Sequence, residues 1–195
     1  MAVLMALLCT LGSVALGQTD VRLAMAEGDL LFVVPHTGNA ITEATGAADH
    51  VAIAHRIGGD GGPLYVIEAI GKGVCLTPMD SFQLHNAEAD IIVRQVPHLD
   101  VQRSVRSALS YAGRPYDWNY TPGDSALYCS ELVQLCYVDV NGDKLFGTTA
   151  MSFSDADGRI LPYWQEHYAR QHLPVPEGEP GTNPSQLLRQ LLQAH

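Results

Sequence analysis

A thiol stands at Cys129, at the head of the run Ser130-Glu131-Leu132-Val133-Gln134-Leu135-Cys136-Tyr137-Val138, which is apolar over most of its circumference when wound as a helix. The loop Thr121-Pro122-Gly123-Asp124-Ser125 comes just before it, so the pattern predicts a thiol at the N-terminus of a buried helix. Such a position favours a thiolate and offers unpaired backbone N–H groups to a developing oxyanion, which is the equipment for nucleophilic attack on a carbonyl. The competing reading is a buried structural cysteine, and it describes Cys136, one heptad later, well. Seven residues of helix span roughly 10 Å, beyond the reach of a disulfide between Cys129 and Cys136. Cys75 on a strand could pair with Cys136, but nothing requires it.

A cysteine nucleophile needs a base, and the chain offers eight histidines. His36, His85, His98, His167 and His172 stand in loop or polar contexts, where a solvated side chain is the simpler reading. His50 instead begins the apolar stretch Val51-Ala52-Ile53-Ala54, with the small Ala52 and Ala54 on its own side leaving room above them. His55 has the opposite parity and faces away, so a zinc site using both is not expected, and the cysteines lack paired ligand spacing. Glu68 is a carboxylate inside Leu64-Tyr65-Val66-Ile67-Glu68-Ala69-Ile70, where a half-buried acid needs a partner unless it faces water at an edge. A turn centred near Gly59-Asp60 sets residues summing to about 118 to 120 opposite each other, which brings Glu68 level or nearly level with His50. On one face, the carboxylate would fix the imidazole tautomer and stabilise its protonated form.

The elements that must hold these groups follow from hydrophobic period. Leu30–Val34, His50–His55, Leu64–Ile70, Gly73–Leu76 and Ile91–Val96 predict an antiparallel sheet in the first half, with a polar loop after Pro35. Asp100 predicts the cap of a helix with Val101, Val105, Ala108, Leu109 and Ala112 on one face, ending at Gly113. The segment from Pro174 to Pro184 is expected to wrap the surface, and Asn183-Pro184 to open a last amphipathic helix through Leu187, Leu188, Leu191 and Leu192. Strands first and helices after is an α+β order.

Composition narrows the classes of function. The 195 residues are 47% hydrophobic and 16% charged, which supports one packed domain over residues 18–195 and argues against wholesale disorder. A formal net charge of -10 repels phosphate backbones and anionic membranes, so no nucleic-acid partner is expected. Residues 1–17 hold an uncharged apolar run, Ala2 to Leu11, followed by Gly12, Ser13, Ala15 and Gly17, the pattern of a signal peptide cleaved near Ala15-Leu16-Gly17. The expected location is therefore periplasmic or secreted. Cys9 would be lost with that segment, and no later stretch is apolar enough to insert stably in a membrane. A buried N-terminal helix is the alternative for this segment.

The order Gly28-Asp29-Leu30-Leu31-Phe32, His50-Val51-Ala52-Ile53, Val66-Ile67-Glu68-Ala69, then Tyr128-Cys129-Ser130-Glu131-Leu132-Val133 resembles the circularly permuted, papain-like branch of the NlpC-type cysteine hydrolases, the YiiX-like proteins. Gly113-Arg114-Pro115-Tyr116-Asp117 and the tail Glu177 to Pro184 also look like segments of that family, so the resemblance runs from Gly28 to Pro184. It implies a permuted papain-like α+β fold, with an antiparallel sheet packed on the helix that bears Cys129. It further implies that Cys129 is the nucleophile, His50 the base, Glu68 the orienting residue and Tyr116 an oxyanion or substrate donor. The implied activity is an amidase or peptidase on small peptide-like substrates, such as peptidoglycan peptides, with no cofactor and no metal. Acyl transfer or thioester hydrolysis on lipids, as in similar lecithin retinol acyltransferase-like proteins, and a non-catalytic binding module are the alternatives. The oligomeric state is left open.

Overall fold

The computed structural model describes residues 25–121, 123 and 125–193; the signal-like segment lies outside them. Strands β1 (Leu30–Pro35), β2 (His50–Arg56), β3 (Leu64–Ile70), β4 (Gly73–Pro78) and β5 (Ala89–Arg94) form an antiparallel sheet in the order β4-β3-β2-β1-β5. Around it lie α1 (Ala40–Thr45), α2 (Met79–His85), α3 (Val101–Ser110), α4 (Cys129–Cys136), α5 (Pro162–Ala169) and α6 (Pro184–Gln193). A short ribbon pairs β6 (Thr149–Ala150) with β7 (Pro180–Gly181).

Strand alternation splits the interior into two layers. Leu30, Phe32, Val51, Ile53, Ile67, Ala69 and Val74 face α3, α4 and α6, meeting Val105, Leu132, Val133 and Leu187. Leu31, Val33, Ala52, Ala54 and Val66 face the other way, against Met25 and the α2 residues Met79 and Phe82. The room expected above Ala52 and Ala54 is thus filled: small side chains there admit α2. A third cluster, Met151, Phe153, Leu161, Trp164 and Tyr168, joins α5 to α1.

Caps appear where the chemistry required them. Asp100 accepts from the Arg103 amide at 3.1 Å and Asn183 from the Gln186 amide at 2.8 Å. Several boundaries differ from expectation. The polar loop after Pro35 contains α1, closed by a capping box in which Asn39 and Thr42 satisfy each other's amides. Helix α4 stops at Cys136 because Tyr137 turns to extended backbone and buries its ring, its hydroxyl donating to the Gly28 carbonyl at 2.8 Å. The Pro- and Gly-rich tail also turns inward: Pro180-Gly181 pairs with β6 and Thr182 is buried.

Gly73 ties the sheet to the loop that leads toward Cys129. Its φ is +101°, and a Cβ there would stand 2.3 Å from the Arg114 carbonyl oxygen, while Val74 donates to that same oxygen at 2.8 Å. Left-handed strain and a backbone clash act together, so Gly73→Ala is expected to cost at least about 2 kcal/mol in urea unfolding. An unchanged midpoint would show that this junction yields.

Candidate active site

Cys129 is the first residue of α4, and the capping residue Tyr128 makes no side-chain cap, leaving the opening N–H groups of the helix free of it. The Tyr128 hydroxyl is engaged elsewhere, accepting from the Thr182 amide at 3.2 Å and donating to Met151 Sδ at 3.8 Å. Thr182 Oγ1 also donates to Ser130 Oγ at 3.1 Å, so the inward-turned tail braces the first turn of α4.

Two residues before the thiol, Leu127 donates to the Pro115 carbonyl at 3.0 Å and accepts from the Asp117 amide at 3.2 Å. This bridge carries Tyr116 to the side of Cys129, and both line one cavity. Asp117 is buried and accepts from the amides of Asn119 and Thr121 at 2.8 and 2.7 Å, folding residues 117–121 into a tight loop. Helix α5 holds that loop from outside: His167 Nε2 donates to the Trp118 carbonyl at 2.7 Å, and the Tyr168 hydroxyl to that of Asn119 at 2.9 Å. The loop ends on Tyr120 in the left-handed region, φ +52°, with its ring among Tyr116, Tyr128, Phe153 and Trp164. Tyr116 and Tyr120 are hydrogen-bonded to each other, and burial pushes both phenols well above the ordinary tyrosine range.

The β2–β3 register pairs Ile53 with Ile67 and Ala54 with Val66. Continued by one step it sets Glu68 opposite Ala52, diagonal to His50 on the same face. Across that diagonal His50 Nε2 meets Glu68 Oε2 at 2.8 Å, with side-chain exposures of 17% and 4%. Nε2 is therefore taken, and Nδ1 is the ring nitrogen left for the thiol. Burial pulls the His50 imidazolium down, but hydrogen bonds to Cys129 and Glu68, with the charges of both, outweigh it and bring the group up to about 10. For Glu68, burial raises the carboxyl; the hydrogen bond and charge of His50, the Thr77 hydroxyl and Lys72 prevail and hold it below its ordinary value.

By parity His50 and Glu68 belong to the α2 side of the sheet, whereas α4 packs on the opposite side. Ring and thiol meet because each belongs to the first residue of its element, where β2 and α4 begin. The arrangement can move a proton between sulfur and imidazole, keep the imidazolium charged, and offer helix N–H groups and a phenol to an oxygen at the same carbon.

The other candidates fall elsewhere. His55 pairs with Glu27 at 2.6 Å and His36 with Asp90 at 3.2 Å. Cys75 and Cys136 are free thiols on opposite sides of the sheet, and burial pushes Cys136 up to about 11. Sequence reasoning missed Asp117, Tyr120, Thr77 and Thr182. The density of Tyr116-Asp117-Trp118-Asn119-Tyr120 was the available signal for the first two; nothing local marks the others.

Residues 24–191 match the family described as permuted papain-like amidase enzyme, YaeF/YiiX, C92 family. The chain is 30% identical over 129 residues to the uncharacterized protein YiiX of Escherichia coli strain K12, and the match spans 60% of this chain and 60% of that relative. Its fold is similar to the crystal structure of YiiX from Escherichia coli O157:H7, described as a metalloprotein, with a TM-score of 0.68 and 25% identity over 83% of this chain and 91% of that one. Among the described residues of the present chain, no three His, Cys, Asp or Glu side chains are grouped so that they could hold a metal ion. The family match covers most of the chain, and the sheet that carries His50 and Glu68 comes before the helix that carries Cys129, the permuted order. The chain belongs to the permuted papain-like amidase family of YaeF and YiiX, a family of cysteine hydrolases with an α+β fold.

Proposed function

We propose that this protein is an exported cysteine amidase or peptidase acting on small peptide-like substrates, with cell-wall peptides the leading class. One observation carries the reading: His50 is bonded through one ring nitrogen to Glu68 at 2.8 Å and is also hydrogen-bonded to Cys129 at the start of α4. In this mechanism the proton shared by the pair rests on His50 while the sulfur attacks the carbonyl carbon, and the oxyanion takes hydrogen bonds from α4 N–H groups and Tyr116. His50 gives its proton to the leaving nitrogen as the C–N bond breaks. It then takes a proton from water, whose oxygen displaces the sulfur and releases the acid. Glu68 keeps the ring oriented throughout and stabilises it whenever it carries the proton. Export rests on the apolar segment before Gly17, and among the described residues no helix is long and apolar enough to cross a membrane.

The test is a panel of muropeptides, dipeptide amides and acyl esters incubated with the protein and with Cys129→Ala. Amide cleavage lost in the variant is the expected result. Ester or thioester turnover that needs Cys129, with no amide cleaved, would move the assignment to acyl transfer. Unchanged rates in the variant would exclude the mechanism.

A further inference from the structure

The two outer strands of the sheet end differently. On the β4 edge, Val74 donates to the Arg114 carbonyl and accepts from the Gly113 amide, both at 2.8 Å, so the loop after α3 covers that strand. On the opposite edge, β5 pairs with β1 alone among the described residues. Its register runs unbroken from Ala89 opposite Pro35 to Arg94 opposite Leu30. The strand holds no bulge, proline or lysine, the usual guards of an open edge, and its charges, Asp90 and Arg94, are of opposite sign.

The groups that face outward from this edge follow from the ladder. His36 donates to the Glu88 carbonyl at 3.0 Å, and backbone groups alternate along an antiparallel pair, so Asp90, Ile92 and Arg94 turn theirs to β1 while Ile91 and Val93 turn theirs outward. Arg94 Nη1 donates to the Val93 carbonyl at 2.8 Å, on that open side. Side chains alternate too. Ile92 shares the α3 and α4 side of the sheet with Asp90 and Arg94, and Ile91 and Val93 lie on the other, lining a groove of about 720 Å³ with Met25, Leu31 and Met79. All three apolar side chains are only half-buried.

Run antiparallel to itself, β5 is self-complementary. When Ile92 stands opposite the Ile92 of a second copy, Ile91 stands opposite Val93 and Asp90 opposite Arg94. Ile91 and Val93, whose backbone groups point outward, then exchange both hydrogen bonds, and the two Ile92 side chains form the closer pair between them. Sliding one strand by two residues, the nearest shift that keeps each side chain on its face, sets Ile92 opposite Asp90 or Arg94 and loses both charge pairs.

We propose that two copies of this chain join through β5, antiparallel about a two-fold axis at Ile92, so that one sheet runs through both. The Arg94 guanidinium leaves the Val93 carbonyl and pairs with Asp90 of the second copy. That carboxylate already meets His36 at 3.2 Å and is 77% exposed, so it has room for a second donor. Ile91 and Val93 of the two copies cover each other beside the groove, which supplies the apolar burial. No residue of the catalytic set lies on this edge.

Sedimentation equilibrium of the protein at physiological ionic strength tests the pairing. A reversible dimer is expected, with a Kd on the order of micromolar for an interface of this kind. Asp90→Arg and Arg94→Asp each set like charges face to face at both ends of the pairing and should weaken association by on the order of 10- to 100-fold. The double variant Asp90→Arg/Arg94→Asp restores opposite charges and should recover the dimer. Both side chains are exposed, so circular dichroism of all three variants should match the parent. A protein that stays monomeric at about 100 μM would overturn the proposal. So would a dimer indifferent to the single reversals, or a double variant that associates no better than they do.

Discussion

Cys129→Ser loses turnover by on the order of a thousandfold or more while keeping its fold. The side chain is 6% exposed and the exchange nearly isosteric, so thermal unfolding and circular dichroism should match those of the parent protein. What changes is the acidity of the group facing His50, since a hydroxyl does not yield its proton to an imidazole as a thiol does. Cys75→Ala and Cys136→Ala are the comparison. Cys75 touches Thr77 at 3.7 Å and Cys136 is buried beneath the sheet, so each should alter stability at most. Activity in Cys129→Ser within about tenfold of the parent would remove the nucleophile from the mechanism.

The second large effect belongs to Glu68. Glu68→Gln keeps the shape but removes the charge that helps hold His50 up at about 10, so the imidazolium should lose its proton at lower pH. In the parent protein, activity that needs the imidazolium should persist into alkaline solution and fall near pH 10; in Glu68→Gln the alkaline limb should move down by a unit or more, and kcat should drop by about 10- to 100-fold. Stability follows the same sign. The folded value of His50 lies above its ordinary 6.5, so the stabilisation it gives is complete below about pH 6.5 and is lost as pH rises toward 10. Urea titrations across that window should show a steeper loss in the parent than in Glu68→Gln. Coincident pH–rate profiles for the two proteins would place the role of Glu68 elsewhere.

How much of this was visible in the sequence depends on the distance over which each feature is encoded. The strands and the helix at Cys129 carry their own period, so their place and type could be read directly. The His50–Glu68 meeting was accessible because a hairpin converts sequence separation into register, and the observed sum of 120 lies at the upper end of the expected range, one diagonal from level. The crossing from one side of the sheet to the other was not accessible, since it depends on where α4 begins relative to β2. Helices α2 and α5 were invisible for a different reason: they are short, and Leu84 and Tyr163 expose 75% and 52% of their surface, which blurs an apolar stripe. Thr182 shows the limit most plainly. It lies 52 residues from Ser130, and only the folded tail brings the two hydroxyls to 3.1 Å.

Trapping the acyl group shows whether Cys129 carries it. The protein is mixed with an activated leucyl ester, quenched in acid within the first turnover and mapped by mass spectrometry. One adduct of acyl mass is expected, located on the peptide that contains Cys129 and absent from Cys129→Ala. Turnover that continues in Cys129→Ala, or an adduct on Cys75 in its place, would contradict it.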